Sequence, residues 1–155
     1  MSRILALVGF LAACFIVAGI GGMFTSAGMP EWYASLQKPS FNPPSWVFGP
    51  VWTALYAMMA VAAWLVWREA GFDGATAALT LFFVQLALNL AWSGIFFGLR
   101  QPGWALVDIA LLWLAIAATA MLFFRHSAWA GALMLPYLAW VSYAAALNFA
   151  IWRLN

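Results

Sequence analysis

The sequence predicts an all-α membrane protein, a bundle of five transmembrane helices with a long ordered loop between helices 1 and 2. Of its 155 residues, 68% are hydrophobic and only 6% are charged, whereas a soluble domain carries about 25% charged residues. The chain also contains five apolar stretches, each close to the roughly 20 residues that a helix needs to cross a bilayer. Only one of the segments between them is long. A lipid bilayer must therefore surround most of this chain.

The five predicted spans follow the apolar stretches in order. The first contains Gly19, Gly21 and Gly22 near its end, and small residues there allow close helix packing. The fifth contains Pro136, which predicts a kink because proline has no backbone N–H. A chain of this length suits one domain. The predicted spans are residues 4–24, 46–67, 75–98, 104–124 and 128–152, the loop is 25–45, and the single domain is 1–155.

Charge predicts neither an orientation nor a nucleic-acid partner. Five spans place the two termini on opposite sides of the membrane, and the six lysines and arginines then divide three to three between the sides. The positive-inside rule therefore gives a tie. The net charge of +2 comes without a basic cluster, so no nucleic acid is expected as a partner.

The predicted loop is stiff and rich in aromatic residues. Its prolines Pro39, Pro43 and Pro44 fix backbone angles and so lower the entropy cost of an ordered cover. Trp32 and Tyr33 are expected to point down from it as a ceiling. We therefore expect the loop to act as a lid on the bundle.

Aromatic, amide and small residues form sets on three helices, in the half of the bilayer beneath the loop. Helical spacing places each set on one face of its helix. Indole and amide groups at that depth need hydrogen-bond partners, because lipid offers none. The sets are Trp52 with Tyr56, Asn89 with Trp92 and Ser93, and Trp140 with Ala144, Leu147 and Asn148.

Two interpretations fit these sets. In the first, the polar groups bond between helices and hold the bundle together, at about 0.6–2 kcal/mol each. In the second, they line a ligand pocket with aromatic walls, a few polar groups and the loop as its lid. The stiff loop favours the second interpretation. Flat aromatic walls suit a flat, largely apolar ligand, to which Asn89 or Asn148 would donate hydrogen bonds.

The sequence contains no conventional catalytic set. It has no Ser-His-acid arrangement, no paired carboxylates, no phosphate-binding glycine loop and no metal-binding cluster, and its one cysteine is Cys14. Asp108 lies inside the fourth span, where it could act as an intramembrane acid, reach interfacial water or pair with Arg100. We therefore expect no required cofactor, no metal and no acid–base catalytic residue, and leave enzymatic activity open.

Three motifs carry a resemblance to a known family. The first is WYxxLxKPxxxPP from Trp32, followed by Trp46 and Trp52. The second is QxxxNxxWSxxFFG from Gln85, and the third is PYxxWxxxAxxLN from Pro136. In these motifs, in length and in its five spans, the chain resembles the tryptophan-rich sensory protein family, also called the translocator protein or peripheral benzodiazepine receptor family.

The resemblance implies a five-helix bundle, often a homodimer, that binds porphyrins such as protoporphyrin IX and haem. Members also bind cholesterol and isoquinoline or benzodiazepine drugs. Translocation of ligands is one role given to the family. Some bacterial members are reported to promote light-dependent breakdown of protoporphyrin, which would here involve Trp52 and Trp140. The family pocket falls on Tyr33, Trp52, Tyr56, Asn89, Trp92, Trp140, Ala144 and Leu147.

Three functional hypotheses follow from the resemblance. The first is a tetrapyrrole-binding sensor or translocator in a bacterial cell membrane, inner or outer. The second is light-dependent porphyrin degradation in the same pocket. The third is a sterol- or lipid-binding protein or a scaffold. A sterol is the weaker candidate, because Phe149 stands where the cholesterol-recognition pattern of animal members has tyrosine. For a scaffold, the small residues that could form a dimer face are Gly94, Gly98, Ala105 and Ala115.

Overall fold

A computed structural model describes residues 2–155, and within that range the regular structure is entirely helical. Five helices are long and apolar enough to cross a membrane, which confirms the predicted fold class. Two π-helical turns and one 3-10 turn extend them. The long helices are α1 Arg3–Gly28, α2 Phe48–Gly74, α3 Thr76–Ser93, α4 Pro102–His126 and α5 Ala128–Leu154. The π turns are Met29–Tyr33 after α1 and Gly94–Gly98 after α3, and the 3-10 turn is Ser45–Val47 before α2.

Helix α1 extends well past its predicted end. Helical backbone continues to Gly28 and then through the π turn Met29–Tyr33, so the predicted loop of 25–45 is wrong in its first part. Hydropathy marks where polar residues begin, but it does not mark where helical hydrogen bonding stops. Thr25, for example, donates its hydroxyl to the Gly21 carbonyl inside the helix (2.9 Å). The wide turn also accommodates Pro30, whose missing N–H would break a regular α-helix.

Two of the other helices match their predicted spans closely, whereas the predicted end of the second span, residue 67, is wrong. Helices α4 and α5 begin and end within two residues of the predicted spans. Helix α2 runs on to Gly74, past a break at Gly71, where φ is 68° and ψ is 178°. Glycine adopts a positive φ at little cost because it has no Cβ. The break lets the chain reverse from α2 into α3 with almost no connecting segment.

The core lies between the helices, and large apolar side chains also cover the outside. Within the core, the rings of Phe82 on α3 and Phe123 on α4 stack with their centroids 6.0 Å apart. On the outside, Ile4 is 74% exposed and Leu114 is 59% exposed. A surface of this kind suits hydrocarbon, because it offers water no polar groups. The packing agrees with a protein whose solvent is a bilayer.

Small residues bring helices of the same chain together. A Cβ added to Gly94 or Gly98 would lie 3.6 Å or 3.0 Å from the Phe24 ring of α1. Ala105 and Ala115 on α4 are buried in the bundle. These residues, which the scaffold hypothesis places on a dimer face, therefore pack helices within one chain.

The two π turns lie against each other at the end of the bundle next to the loop. A Cβ added to Gly28 would lie 2.8 Å from the Phe97 carbonyl oxygen and 3.0 Å from the Phe97 Cβ. Trp32 and Tyr33 then pack on the rings of Phe96 and Phe97, with centroids 5.3 Å apart for Trp32–Phe96 and 5.7 Å apart for Tyr33–Phe97. This contact depends on the absence of a side chain at residue 28.

We predict that Gly28→Ala destabilises the protein by about 1–3 kcal/mol, because the added methyl group overlaps a backbone oxygen that cannot move freely. Thermal unfolding in detergent measures the effect. The matched control is Gly9→Ala on the same helix, where an added Cβ meets no atom within 4 Å. The control should keep or slightly raise stability, because alanine favours helix over glycine by about 1 kcal/mol. Equal unfolding temperatures for the two variants would contradict the close contact.

Candidate functional site

A cavity of about 330 Å³ lies between α1, α2, α3 and α5, in the half of the bundle next to the loop. Its volume falls at the lower end of the range of about 300–1,000 Å³ that is usual for ligand pockets. Eight of its lining residues are aromatic. The aromatic lining residues are Tyr33, Phe48, Trp52, Tyr56, Trp92, Phe96, Phe97 and Trp140.

All but one of the predicted ligand-binding residues line this cavity. The exception is Trp32, which lies outside the lining and packs edge-on against Phe96 and Phe97. Neighbouring residues of a helix point about 100° apart, so the turn that directs Tyr33 inward directs Trp32 elsewhere. The predicted residues on the lining are Tyr33, Trp52, Tyr56, Asn89, Trp92, Ser93, Trp140, Ala144, Leu147 and Asn148.

The loop that remains between the two flanking turns, residues 34–44, contributes no side chain to the cavity lining. Pro39, Pro43 and Pro44 lie outside the lining. Pro39 and Pro43 instead shape a turn, since their carbonyls accept from the backbone N–H and side-chain amide of Asn42 at 3.1 and 3.2 Å. Residues of the flanking helical turns, among them Tyr33, form the end of the cavity that lies next to the loop.

Side chains from the π turn after α1, from α5 and from the residue after α5 hold the loop in place. Each bonds to a different loop residue, and the three loop residues are Gln37, Phe41 and Asn42. The pairs are the Tyr33 hydroxyl donating to Asn42 Oδ1 (2.9 Å), the Tyr143 hydroxyl donating to the Phe41 carbonyl, and Asn155 bonding the Gln37 backbone N–H (3.1 Å) and carbonyl (2.9 Å).

A buried chain of hydrogen bonds crosses the wall behind the cavity. The Tyr56 hydroxyl on α2 donates to Asn89 Oδ1 on α3 (2.6 Å). Asn89 Nδ2 donates to the Tyr137 hydroxyl on α5 (2.7 Å), and that hydroxyl donates to Gln85 Oε1 (2.6 Å). All four side chains are buried. The chain therefore ties three helices together at the level of the cavity.

A second set of bonds centres on Asn148. Trp92 Nε1 donates to Asn148 Oδ1 (2.9 Å), and Asn148 Nδ2 donates to the Pro102 carbonyl at the start of α4 (2.8 Å). Like Asn89, Asn148 thus uses its oxygen and one N–H to join helices. Each amide keeps a second N–H, so its interhelical bonds leave the predicted donation to a ligand open. Helix association and cavity wall are two roles of the same residues.

Trp140, one of the lining residues, has a buried indole N–H without a hydrogen-bond partner in the part of the chain that the structure describes. In residues 2–155, two buried side-chain polar atoms have no hydrogen-bond partner, Trp140 Nε1 and Asp108 Oδ2. The Trp140 ring stands perpendicular to the Trp52 ring, with centroids 6.5 Å apart and an angle of 89°. An unpaired buried donor costs about 1–3 kcal/mol. A ligand with a hydrogen-bond acceptor would remove that cost.

Asp108 is not part of the cavity. It lies on α4, whose residues are absent from the lining, and it is 7% exposed. Its Oδ2 is without a partner, so the pairing with Arg100 that the sequence allows is not formed through that atom. Arg100 is exposed in the turn before α4, where its φ is 56°.

Sequence reasoning missed the contribution of α1 to the cavity. Ala18, Gly22 and Ser26, which lie on the lining, follow one another at i, i+4 spacing. That spacing of small residues was the available signal, but small residues in a span are normally interpreted as helix packing. Phe96 and Phe97 are also lining residues. They belong to the second family motif, but helical spacing does not predict them as part of the pocket.

Comparison with known sequences identifies the family. The profile of the TspO/MBR family matches residues 10–153. The human translocator protein is 46% identical over 150 residues, which cover 96% of this chain and 89% of that protein. A tryptophan-rich protein TspO from Archaeoglobus fulgidus is 43% identical over 153 residues, 99% of both chains. A tryptophan-rich sensory protein from Cereibacter sphaeroides is 43% identical over 146 residues, covering 94% of this chain and 89% of the relative.

These matches span nearly the whole chain, including every helix that lines the cavity. The fold agrees with them, since five helices long enough to cross a membrane fill almost all of the described residues. The protein is therefore a multi-pass membrane protein that belongs to the TspO/MBR family.

Proposed function

We propose that this protein binds a flat, largely apolar tetrapyrrole, such as protoporphyrin IX or haem, in the cavity, and acts as a sensor or translocator of that ligand. The observation that carries the proposal is the perpendicular pair Trp52 and Trp140, which gives the cavity two aromatic walls. Perpendicular walls offer a planar ligand one ring to stack on and one ring edge to meet.

The unsatisfied N–H of Trp140 supports an amphiphilic ligand. Protoporphyrin and haem have a broad apolar macrocycle with carboxylates on one edge. Such a carboxylate would accept a hydrogen bond from Trp140 Nε1, which has no partner in the described residues. A wholly apolar ligand would leave the donor unpaired, so the cavity favours a ligand with an acceptor at its rim.

The names of the relatives agree with a ligand-handling role. The human relative is named a translocator protein, and that from Cereibacter sphaeroides a tryptophan-rich sensory protein. Binding in the cavity is common to both roles. What distinguishes them is whether the bound ligand is released on the other side or changes what the protein contacts.

We predict that Trp52→Ala and Trp140→Ala each weaken protoporphyrin IX binding by about tenfold or more, because each removes an aromatic wall. Quenching of tryptophan fluorescence during titration of the purified protein measures the affinity. The control is Trp129→Ala, since Trp129 is 76% exposed and lies outside the lining. Wild-type affinity in both cavity variants would remove this cavity as the binding site.

The indole N–H is tested separately by Trp140→Phe, which keeps an aromatic wall and removes only the donor. We expect a loss of affinity of about fivefold to tenfold for protoporphyrin IX, near 1 kcal/mol for one hydrogen bond. The dimethyl ester of protoporphyrin, which lacks the carboxylates, should lose less. An equal loss for both ligands would show that Trp140 does not recognise the carboxylate edge.

Light-dependent porphyrin degradation is the second candidate function. The contact between Trp52 and Trp140 favours it, as do the rings of Tyr56 and Tyr137, whose centroids lie 5.6 and 6.2 Å from that of Trp52. A bound porphyrin would absorb light, molecular oxygen would serve as the oxidant, and the indoles would react with the excited porphyrin or with the oxygen species formed. Such a reaction needs no acid–base residue.

We predict that illumination in air bleaches bound protoporphyrin IX faster than free protoporphyrin, whereas darkness preserves both. Trp140→Phe should slow the bleaching at saturating porphyrin, because phenylalanine is much harder to oxidise than tryptophan. Absorbance at the main porphyrin band follows the reaction, with Trp129→Phe as the control. Bleaching of free porphyrin at the rate of bound porphyrin would exclude this activity.

A further inference from the structure

The cavity is closed next to the loop and open on one side, between α1 and α2. We propose that ligands enter and leave it from the bilayer, through this gap, and that the loop is not the gate. The inference rests on the proposed function for its ligand, a tetrapyrrole dissolved in the membrane. It concerns a separate property, the route between the cavity and its surroundings.

Exposure of the lining residues locates the opening. Four of them are exposed, Gly22 and Ser26 on α1 and Gly49 and Thr53 on α2. Every lining residue of α3 and α5 is buried or half-buried. A residue that both lines a cavity and faces outward marks its mouth. All four markers lie on the same two neighbouring helices.

The edges of the gap have little side-chain bulk. A Cβ added to Gly22 or to Gly49 would meet no atom within 4 Å. On α1, small side chains line the edge of the gap at i, i+4 spacing, at Ala18, Gly22 and Ser26. This series spans about 12 Å at 1.5 Å per residue. On α2, the Thr53 hydroxyl donates to the Gly49 carbonyl (2.8 Å). That hydroxyl is satisfied within its own helix, so the edge does not need water.

The end of the cavity next to the loop is closed by several contacts. Three separate ties hold the loop, through Tyr33, Tyr143 and Asn155. Tyr33, which is also part of the lining, is 5% exposed and packs on Phe96 and Phe97. Entry past the loop would have to break bonds at all three places and displace this ring cluster. Entry through the gap requires neither.

The route restricts the ligand to a chemical class. Because α1 carries outward apolar side chains beside the gap, Ile20 and Met23, which are 40% and 73% exposed, the gap faces hydrocarbon. A ligand must therefore partition into the membrane before it reaches the cavity. Flat amphiphiles meet this requirement, whereas strongly water-soluble molecules of the same size do not.

The test is the rate of protoporphyrin IX exchange in lipid nanodiscs, followed by stopped-flow tryptophan quenching. Gly22→Leu and Gly49→Leu place a bulky side chain on either edge. Both variants should slow association and dissociation together, each by at least about tenfold, because a blocked gate raises the barrier in both directions, whereas loss of a wall contact would speed dissociation. If Gly22→Leu fails to fold, Ser26→Leu tests the same edge one turn further on.

Two matched controls and a loop variant complete the test. Gly9→Leu and Gly19→Leu add the same side chain to α1 at positions that also have open space and lie outside the lining. They should leave both rates unchanged. Asn155→Ala releases one tie of the loop and should also leave them unchanged. Wild-type rates in the gap variants, or faster exchange in Asn155→Ala, would overturn the proposal.

A second probe separates failure of the route from failure of the proposed function. In a Cys14→Ala background, Ala144→Cys places a thiol on the cavity wall, and a lipid-soluble maleimide reports its accessibility. Gly22→Leu should slow labelling by at least about tenfold, and Gly19→Leu should not. If wild-type protein does not bind porphyrin but labelling follows this pattern, the tetrapyrrole is wrong and the route holds. If labelling ignores the gap, the route is wrong.

Discussion

The arrangement of this bundle depends on one constraint, that polar groups buried inside a membrane protein must find their partners within the protein. Two asparagines meet it, each by joining three helices. Asn89 links α2, α3 and α5 through Tyr56 and Tyr137, and Asn148 links α3, α4 and α5 through Trp92 and the Pro102 carbonyl. Because these bonds hold phenol and indole rings at defined depths, they also fix the walls of the cavity. The cavity is therefore a consequence of how the helices are joined.

The same constraint gives meaning to its exceptions. Trp140 Nε1 is buried without a partner in the described chain, and it lies on the cavity wall. A ligand acceptor that reached this N–H would relieve a cost that the protein's own bonds do not relieve. Asp108 Oδ2 is the other exception, but it lies on α4, away from the cavity. A missing hydrogen bond is therefore relevant to ligand binding only for a residue that lines the cavity, as Trp140 does and Asp108 does not.

The five-helix fold could be predicted from the sequence, because membrane helices are recognised by their length and apolar composition. Helical spacing also predicts much of the cavity wall on α2, α3 and α5, from Trp52 to Asn148, since residues at i, i+4 share a face. The predictions fail where local backbone geometry determines the direction of a side chain or the end of a helix. Helix α1 continues through Thr25 and Ser26, and Trp32 in the π turn that follows lies outside the cavity lining. The sequence predicts a lid at Pro39, Pro43 and Pro44. In the structure these prolines lie outside the cavity lining, and hydrogen bonds hold the loop that contains them. Hydropathy and spacing carry no information on such turns or on three-dimensional ties.

The most direct test of a tetrapyrrole bound in the cavity against Trp52 and Trp140 is an experimental structure of the protein with protoporphyrin IX. We expect the macrocycle inside the cavity, in contact with both rings, with a carboxylate within hydrogen-bond distance of Trp140 Nε1, about 3 Å. A macrocycle bound on the outer surface of the helices, with the cavity filled by lipid or empty, would contradict it.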